Sequence, residues 1–159
     1  MLRNRFQNVP FGVSMIAEGT EVGKAAQCYE IGTLAKIVDW DRSAEGMLQI
    51  EAIGCQRFKI LGSQVSERQL ITATIKEIDE MHSLSVPDEL SSLTALLKKV
   101  LRKQQLKKKW SKSQFENANW VSCRLAEVLP IENVIRQRLL EINDPIERLH
   151  LVLGLFSEK

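Results

Sequence analysis

The sequence predicts an α+β protein in which an antiparallel β subdomain is followed by a helical one. Apolar residues alternate with polar residues at a period of two up to about Glu80, and they recur at a helical period of about 3.6 after Leu84. The 159 residues are 44% hydrophobic and 26% charged, which is typical of a globular protein. This length suffices for one domain or two packed subdomains, which we place at residues 1–82 and 85–159.

Four segments of the first half are predicted to be strands because apolar side chains alternate within them. They span residues 11–16, 29–37, 47–60 and 70–80. In the third segment, Leu48, Ile50 and Ala52 alternate with polar residues, which is typical of a strand with one buried face. In the fourth, Ile71 and Ile75 are expected to share a face. Closely spaced strands joined by hairpin turns indicate an antiparallel barrel or sandwich.

Turn residues separate these strands, and two glycines interrupt them. The turns are predicted at residues 18–20, 41–46 and 62–63. Gly32 and Gly54 fall inside apolar patterns, where glycine weakens a strand by roughly 0.5–1 kcal/mol relative to alanine. Such glycines mark bulges, barrel corners or close backbone approaches. A small barrel needs sharp bends, so both glycines are explained without a ligand.

Four helices are predicted in the second half, which is therefore a four-helix unit. They cover residues 87–108, 113–129, 131–142 and 145–156. Pro87 suits the first turn of the first helix. Ser113 and Glu116 have the spacing of a capping box at the start of the second helix. Asp144 is the expected N-cap of the fourth helix.

Several residues, taken in order, resemble the amino-terminal domain of Lon proteases. In the first half the matching residues are Gly32, Thr33, Gly54, Arg57 and Phe58. In the second half, the family pattern Q-x-L-L-E-x-x-D-x-x-E-R-L is matched by Gln137, Leu139, Leu140, Glu141, Asp144, Glu147, Arg148 and Leu149. The resemblance spans nearly the whole chain and implies a PUA-like β-barrel followed by a helical bundle. It also implies a role in recognising unfolded or damaged proteins.

The start of the chain departs from this resemblance. Family members usually begin with two strands rich in proline, leucine and phenylalanine and then a helix, whereas residues 1–8 resemble the end of that helix. By this comparison the opening strands of the usual domain are missing, which would leave the barrel with open strand edges. Open edges invite pairing with another chain. We therefore expect a protein made strictly from Met1 to be unstable, aggregated or dimeric, with a homodimer as one outcome.

No catalytic signature is present in the sequence. It contains no G-x-x-x-x-G-K-[ST] phosphate loop, no G-x-S-x-G elbow and no H-E-x-x-H helix. The resemblance implies no catalytic residue, because Lon proteases work through separate ATPase and Ser–Lys protease modules. The carboxylates of Asp39 and Asp41 are expected to flank loops rather than to form an acid–base dyad. The chain is therefore predicted not to be an enzyme, and a small hydrolase is disfavoured for want of a nucleophile–base pair.

The sequence also predicts no metal, cofactor or membrane partner. Cys28, Cys55 and Cys123 are far apart and are expected to be reduced thiols. Neither His82, expected in a loop, nor His150, expected on a helix surface, has a second ligand at metal spacing. No apolar run approaches the roughly 18–20 residues that span a bilayer, and the N-terminus lacks a signal-peptide core. A cytoplasmic location is expected.

Apolar side chains near the presumed barrel rim are the candidates for binding polypeptide. They are Phe6, Val9, Phe11, Tyr29 and Trp40. Each belongs either to the core or to an exposed apolar groove, and a free sheet edge could add a peptide strand. Together with the Lon resemblance, these residues lead us to expect a non-catalytic module that recognises unfolded or client protein segments.

A run of basic residues gives the alternative function. The tract comprises Lys98, Lys99, Arg102, Lys103, Lys107, Lys108, Lys109 and Lys112. One interpretation is a nucleic-acid or acidic-partner patch, which would make the chain an RNA-binding PUA-like protein. The other is the solvated face and frayed end of a long helix. Trp110 is the single aromatic residue within the tract, which is a poor set for stacking bases.

Overall fold

The structure is a computed structural model that describes residues 9–20, 25–80, 84–104 and 110–156. The chain forms two compact units that divide between Asp79 and Glu80. The first unit contains the strands of the sheets and the second contains the helices. The predicted α+β class, with antiparallel strands followed by helices, is therefore confirmed.

The β unit is built from six described strands in two antiparallel sheets. They are β1 (Phe11–Val13), β2 (Ile16–Glu18), β3 (Gln27–Cys28), β4 (Ile31–Arg42), β5 (Leu48–Val65) and β6 (Ile71–Glu77). The larger sheet has the order β1-β4-β5-β6, and β2 pairs with β3. The outer strands β1 and β6 are not paired with each other, so the described strands form an open sheet dominated by the long β4–β5 hairpin.

The hairpin turns differ from the predicted ones in two respects. The turn predicted at 41–46 is confirmed but begins at Ser43, because β4 runs to Arg42. The amides of Ser43 and Gly46 donate to the carbonyls of Met47 and Ser43, and Gly46 takes the left-handed φ of 83°. The turn predicted at 62–63 is wrong, because β5 runs on to Val65. A register shift between Ile60 and Gly62 takes its place. A bulge of this kind is easily predicted as a turn from the sequence, because bulges and turns both favour glycine.

Gly32 is required by a close approach, one of the reasons predicted for it. The ring of Phe58, itself only 3% exposed, lies over Gly32 and Gly12. A Cβ atom at position 32 would stand 2.5 Å from the carbonyl oxygen of Val13 and 2.6 Å from Cζ of Phe58. Only glycine leaves room for strand β1 and this ring together.

In the described part of the helical unit, a 3-10 turn at Asp88–Leu90 is followed by five helices. They are α1 (Ser91–Lys103), α2 (Lys112–Glu116), α3 (Ala118–Val128), α4 (Asn133–Glu141) and α5 (Pro145–Gly154). The first helix therefore ends before the predicted Lys108. The predicted N-cap of the last helix is confirmed, because Oδ1 of Asp144 accepts from the amide of Ile146 at 2.8 Å. His150 lies exposed on α5, as predicted.

The second predicted helix is two helices, and its predicted capping box is wrong. The capping box joins Ser111 and Gln114 instead of Ser113 and Glu116. The helix breaks at Asn117, whose side chain caps α3 by accepting from the amide of Trp120 at 2.8 Å. The break has a tertiary cause: the backbone of residues 84–86 pairs with that of residues 116–118. Such long-range pairing cannot be read from local spacing.

The core of the helical unit is a continuous set of aliphatic side chains. Its buried members are Leu90, Leu93, Leu97, Leu101, Ala118, Val121, Leu125, Leu129, Leu139, Leu149 and Val152. Arg148 lies inside this unit with 1% exposure. Its guanidinium donates to the carbonyls of Leu139 and Ile142 at 3.0 and 2.6 Å, and to Oδ1 of Asn119 at 2.9 Å. A cation there satisfies carbonyls at the C-terminal end of α4 and offsets its dipole.

Candidate functional site

One face of the larger sheet is lined by apolar side chains that the strand register brings together. Residues paired across neighbouring strands share a face, and so do alternate residues along one strand. The pairs are Phe11 with Ala35, Val13 with Thr33, Ile37 with Ala52, Trp40 with Ile50 and Arg42 with Leu48. We call the surface formed by Phe11, Val13, Ile37, Trp40, Leu48 and Ile50 the apolar sheet face.

Most of the apolar sheet face is open to solvent. Leu48 is 64% exposed, Val13 52%, Ile50 49% and Phe11 36%, while Ile37 and Trp40 are half-buried. The prediction that Leu48, Ile50 and Ala52 form a buried face is therefore wrong. Alternation shows which side chains share a face, whereas burial also needs a second layer above them.

The opposite face of the same hairpin is acidic. Asp39 pairs with Glu51 across β4 and β5, and Asp41 pairs with Gln49. The expectation that Asp39 and Asp41 flank loops is wrong, because β4 continues to Arg42. Lys36 and Ile53 lie on this same face farther from the turn. Near the turn, the hairpin is thus apolar on one side, apart from Arg42, and negatively charged on the other.

Among the described residues, nothing pairs with the outer edge of β4 from Lys36 to Arg42, which is about half of the strand. Strand β1 pairs only with residues 33–35. The amide of Ser43 donates to the carbonyl of Met47 at 2.9 Å, and hydrogen-bonded and non-hydrogen-bonded pairs alternate along an antiparallel ladder. Counting back from this bond, Arg42 and Trp40 are in non-hydrogen-bonded pairs. Their amides and carbonyls therefore point away from β5, toward the open edge.

Two aspartate side chains satisfy the amides at this edge. The amide of Trp40 donates to Oδ1 of Asp39 at 2.9 Å, and the amide of Arg42 donates to Oδ1 of Asp41 at 2.7 Å. We call residues 39–42 the aspartate-capped edge. The caps remove two free donors from a strand edge that would otherwise be a template for pairing.

The structure brings together two of the five residues predicted to bind polypeptide. Phe11 and Trp40 lie on the apolar sheet face, and Val9 is 69% exposed just before β1. Tyr29 is half-buried between β3 and β4, where its amide donates to the carbonyl of Met15 at 2.9 Å and its carbonyl accepts from Oγ of Ser14 at 2.6 Å. Phe6 lies outside the described residues.

Sequence reasoning missed Val13, Leu48 and Ile50 as surface residues, and it missed the capping role of the two aspartates. The order Asp39, Trp40, Asp41, Arg42 carried the available signal. An acid at every second position of a strand indicates one charged face and continuation of β4 toward the turn.

The described part of the basic tract is spread over two helices. Lys98, Lys99, Arg102 and Lys103 lie on α1, and Lys112 begins α2. Lys98 places its Nζ 5.0 Å from the centre of the Phe115 ring, and Lys112 forms an ion pair with Glu116 at 3.6 Å. Lys107, Lys108 and Lys109 lie outside the described residues.

The aromatic residues near this tract pack on one another. The Trp110 and Trp120 ring centres are 5.4 Å apart, and the Phe115 ring meets the Trp120 ring edge-on at 5.2 Å. The guanidinium of Arg124 lies 4.9 Å from the centre of the Trp110 ring. These contacts form a packed cluster rather than a row of rings open for stacking bases.

The described residues contain neither a metal-binding cluster nor a membrane-spanning helix. Within them, no group of three or more His, Cys, Asp or Glu side chains could hold a metal ion. None of the described helices has the length and apolar character needed to cross a membrane.

Comparison with known proteins places the chain in a family. The family model for the ATP-dependent protease La (LON) substrate-binding domain matches residues 2–158. The crystal structure of a Lon N-terminal domain protein from Xanthomonas campestris is similar, with 27% identity, a TM-score of 0.76, and coverage of 92% of this chain and 75% of that one.

A second solved structure shows the same fold at lower similarity. The N-terminal domain of the Mycobacterium avium complex Lon protease has 21% identity and a TM-score of 0.54, over 82% of this chain and 72% of that one. A comparison with curated proteins returned no match. The family match nevertheless runs over almost every residue, and the chain belongs to the Lon substrate-binding domain family.

Proposed function

We propose that this protein is a non-catalytic module that binds extended polypeptide segments through the apolar sheet face. The observation that carries the proposal is the exposure of Phe11, Val13, Leu48 and Ile50 on one face of a single sheet. Contiguous exposed apolar surface marks sites of interaction with other molecules. The family to which the chain belongs is described by substrate binding, which supports a polypeptide as the ligand.

The chemistry of the face suits unfolded segments. Removing apolar surface from water contributes about 25 cal/mol per Å², and unfolded chains expose the side chains that folded proteins hide. The half-buried Trp40 stands beside Ile50 on the neighbouring strand, and tryptophans of this kind are frequent anchors of binding energy. Recognition by this face would therefore depend on the apolar content of a segment.

The proposed role is recognition or delivery of client proteins, without chemistry. The sequence carries none of the phosphate-loop, nucleophile-elbow or zinc-helix signatures, so an adaptor role suits it better than catalysis. No observation favours the RNA-binding alternative, because Lys98 and Lys112 are engaged within the helical unit. The cytoplasmic location expected from the sequence stays a prediction.

The test is binding of a reduced, carboxymethylated unfolded protein to the full chain, followed by fluorescence anisotropy. The variant Leu48→Ser with Ile50→Ser removes apolar surface from the face. The matched control is Val134→Ser with Phe156→Ser, because these side chains are exposed to nearly the same extent, 60% and 49% against 64% and 49%, but lie in the helical unit. Circular dichroism checks that both variants remain folded.

We expect the sheet variant to lose about tenfold or more in affinity, which corresponds to about 1.4 kcal/mol or more of apolar contact. The helical-unit control should bind like the unmodified protein. Equal losses in both variants, or no loss in either, would rule out the apolar sheet face as the binding site.

A further inference from the structure

We propose that the open edge of β4 adds an extended segment as a further strand, and that it selects segments with Lys or Arg at alternate positions and apolar residues between them. This inference rests on the proposed function and names the class of polypeptide that the same sheet prefers. The residues that carry it are those of the aspartate-capped edge and the apolar side chains beside them.

The first step concerns the backbone. Beyond Ala35 no described residue pairs with the outer edge of β4, and the amides and carbonyls of Trp40 and Arg42 point outward there. An extended segment laid along this edge would find two donors and two acceptors at the spacing of a strand. Main-chain pairing of this kind supplies affinity without regard to sequence.

The second step concerns the faces. Side chains of an added strand alternate between the two faces of the sheet, in line with their neighbours on β4. Those beside Trp40 and Arg42 would lie on the apolar sheet face, where Arg42 disfavours a basic neighbour, and those beside Asp39 and Asp41 would lie on the acidic face. Charge complementarity therefore favours a segment that alternates apolar and basic residues.

The third step concerns the caps. An incoming carbonyl must take the amides of Trp40 and Arg42 from Oδ1 of Asp39 and Asp41, which now accept from them at 2.9 and 2.7 Å. A neutral segment would leave those exposed carboxylates with water as their donor. A Lys or Arg side chain offers them a charge-assisted hydrogen bond, which is about twice as strong as a neutral one. By binding the two carboxylates, basic residues of the segment would therefore release the amides of Trp40 and Arg42 to pair with the backbone of the segment.

The same caps disfavour a second copy of this chain as the occupant. Two β4 edges brought together antiparallel would place Asp39 and Asp41 of one copy beside those of the other. Like charges opposite each other on neighbouring strands are destabilising. The two aspartates therefore disfavour pairing of this edge with a second copy and favour pairing with a basic segment.

The test uses three short, acetylated and amidated peptides with valine at every odd position and lysine, glutamine or glutamate at every even position. Anisotropy with the full chain at low salt should show the lysine peptide binding about tenfold tighter than the glutamine peptide, as expected for two exposed ion pairs. The glutamate peptide should bind weakest. A lysine peptide of the same composition, with its lysines in one block, should bind like the glutamine peptide.

Two variants separate the roles of the carboxylates. Asp39→Asn with Asp41→Asn keeps an oxygen to cap each amide but removes the charge, so the preference for lysine should disappear while overall binding stays weak. Asp39→Ala with Asp41→Ala removes the caps, so the glutamine peptide should gain affinity and the protein should self-associate at high concentration. The control Glu45→Gln with Glu77→Gln removes two charges elsewhere in the β unit and should keep the lysine preference.

Backbone methylation tests strand addition itself. Amides of alternate residues in a strand point to opposite edges, so methylation of one alternate set should abolish binding and methylation of the other should be tolerated. Equal tolerance of both sets, or a lysine preference that survives Asp39→Asn with Asp41→Asn, would overturn the inference.

If all three peptides bind equally well, the selectivity proposed here is wrong and the proposed function stands. If no peptide and no unfolded protein binds, both fail.

Discussion

The two units of this protein treat their apolar residues in opposite ways. Among the described residues, eleven of the thirteen buried core side chains belong to the helical unit, and twelve of the fourteen large exposed apolar side chains belong to the β unit. In the helical unit, these buried apolar side chains stabilise the fold. The buried guanidinium of Arg148 donates to the carbonyls of Leu139 and Ile142. The β unit keeps much of its apolar surface available. The difference teaches that a periodic apolar pattern shows which residues share a face, whereas the layers that cover this face decide whether it is buried.

The largest effect should follow removal of Arg148. The change Arg148→Ala leaves the carbonyls of Leu139 and Ile142 and the side chain of Asn119 without their buried donor. We expect a loss of about 3–5 kcal/mol in the free energy of unfolding, measured by urea denaturation. The control Arg138→Ala, at an exposed position on α4, should change it by less than about 0.5 kcal/mol. Similar losses for the two variants would contradict a structural role for the buried guanidinium.

The second prediction compares one leucine from each unit. Leu97 is 0% exposed in α1, whereas Leu48 is 64% exposed in β5. Leu97→Ala should cost about 2–5 kcal/mol in the free energy of unfolding because it leaves a cavity. Leu48→Ala should cost less than about 0.5 kcal/mol and should instead weaken binding of the unfolded protein. A large loss of stability from Leu48→Ala would show that its side chain is part of a core.

The third prediction concerns two glycines of the β unit. A Cβ atom at Gly32 would meet the carbonyl oxygen of Val13 at 2.5 Å, whereas one at Gly62 would meet nothing within 4 Å. Gly32→Ala should destabilise the β unit by about 1–3 kcal/mol through overpacking, and Gly62→Ala should be close to neutral. The measurement is thermal unfolding followed by the infrared amide I band of β-strands, which reports on the β unit. Equal effects of the two changes would contradict the close approach of β1 to Phe58.

Much of the fold could be read from the sequence, because it depends on local patterns. The period of two gave the hairpin of β4 and β5, and Asp144 with Pro145 marked the start of α5. What failed depends on long-range geometry. The second helix breaks at Asn117 because residues 84–86 pair with it, and nothing in the local spacing of Ser113 and Glu116 reveals that.

The candidate site was predictable only in part, for a similar reason. Phe11 and Trp40 could be named as apolar rim residues, but the exposure of Leu48 and Ile50 depends on which layers cover the sheet. The capping by Asp39 and Asp41 could not be foreseen either. Each cap joins neighbouring residues. It blocks strand pairing only because no described strand lies on this side of β4, which the sequence does not show.

Amide hydrogen exchange of the full chain, with and without a reduced, carboxymethylated unfolded protein, tests the central claim most directly. It reports on both units in one measurement. We expect added protection in residues 36–42 and 48–54 of the β4–β5 hairpin and unchanged exchange in α1 to α5. Protection confined to the helical unit would contradict the assignment of binding to the apolar sheet face.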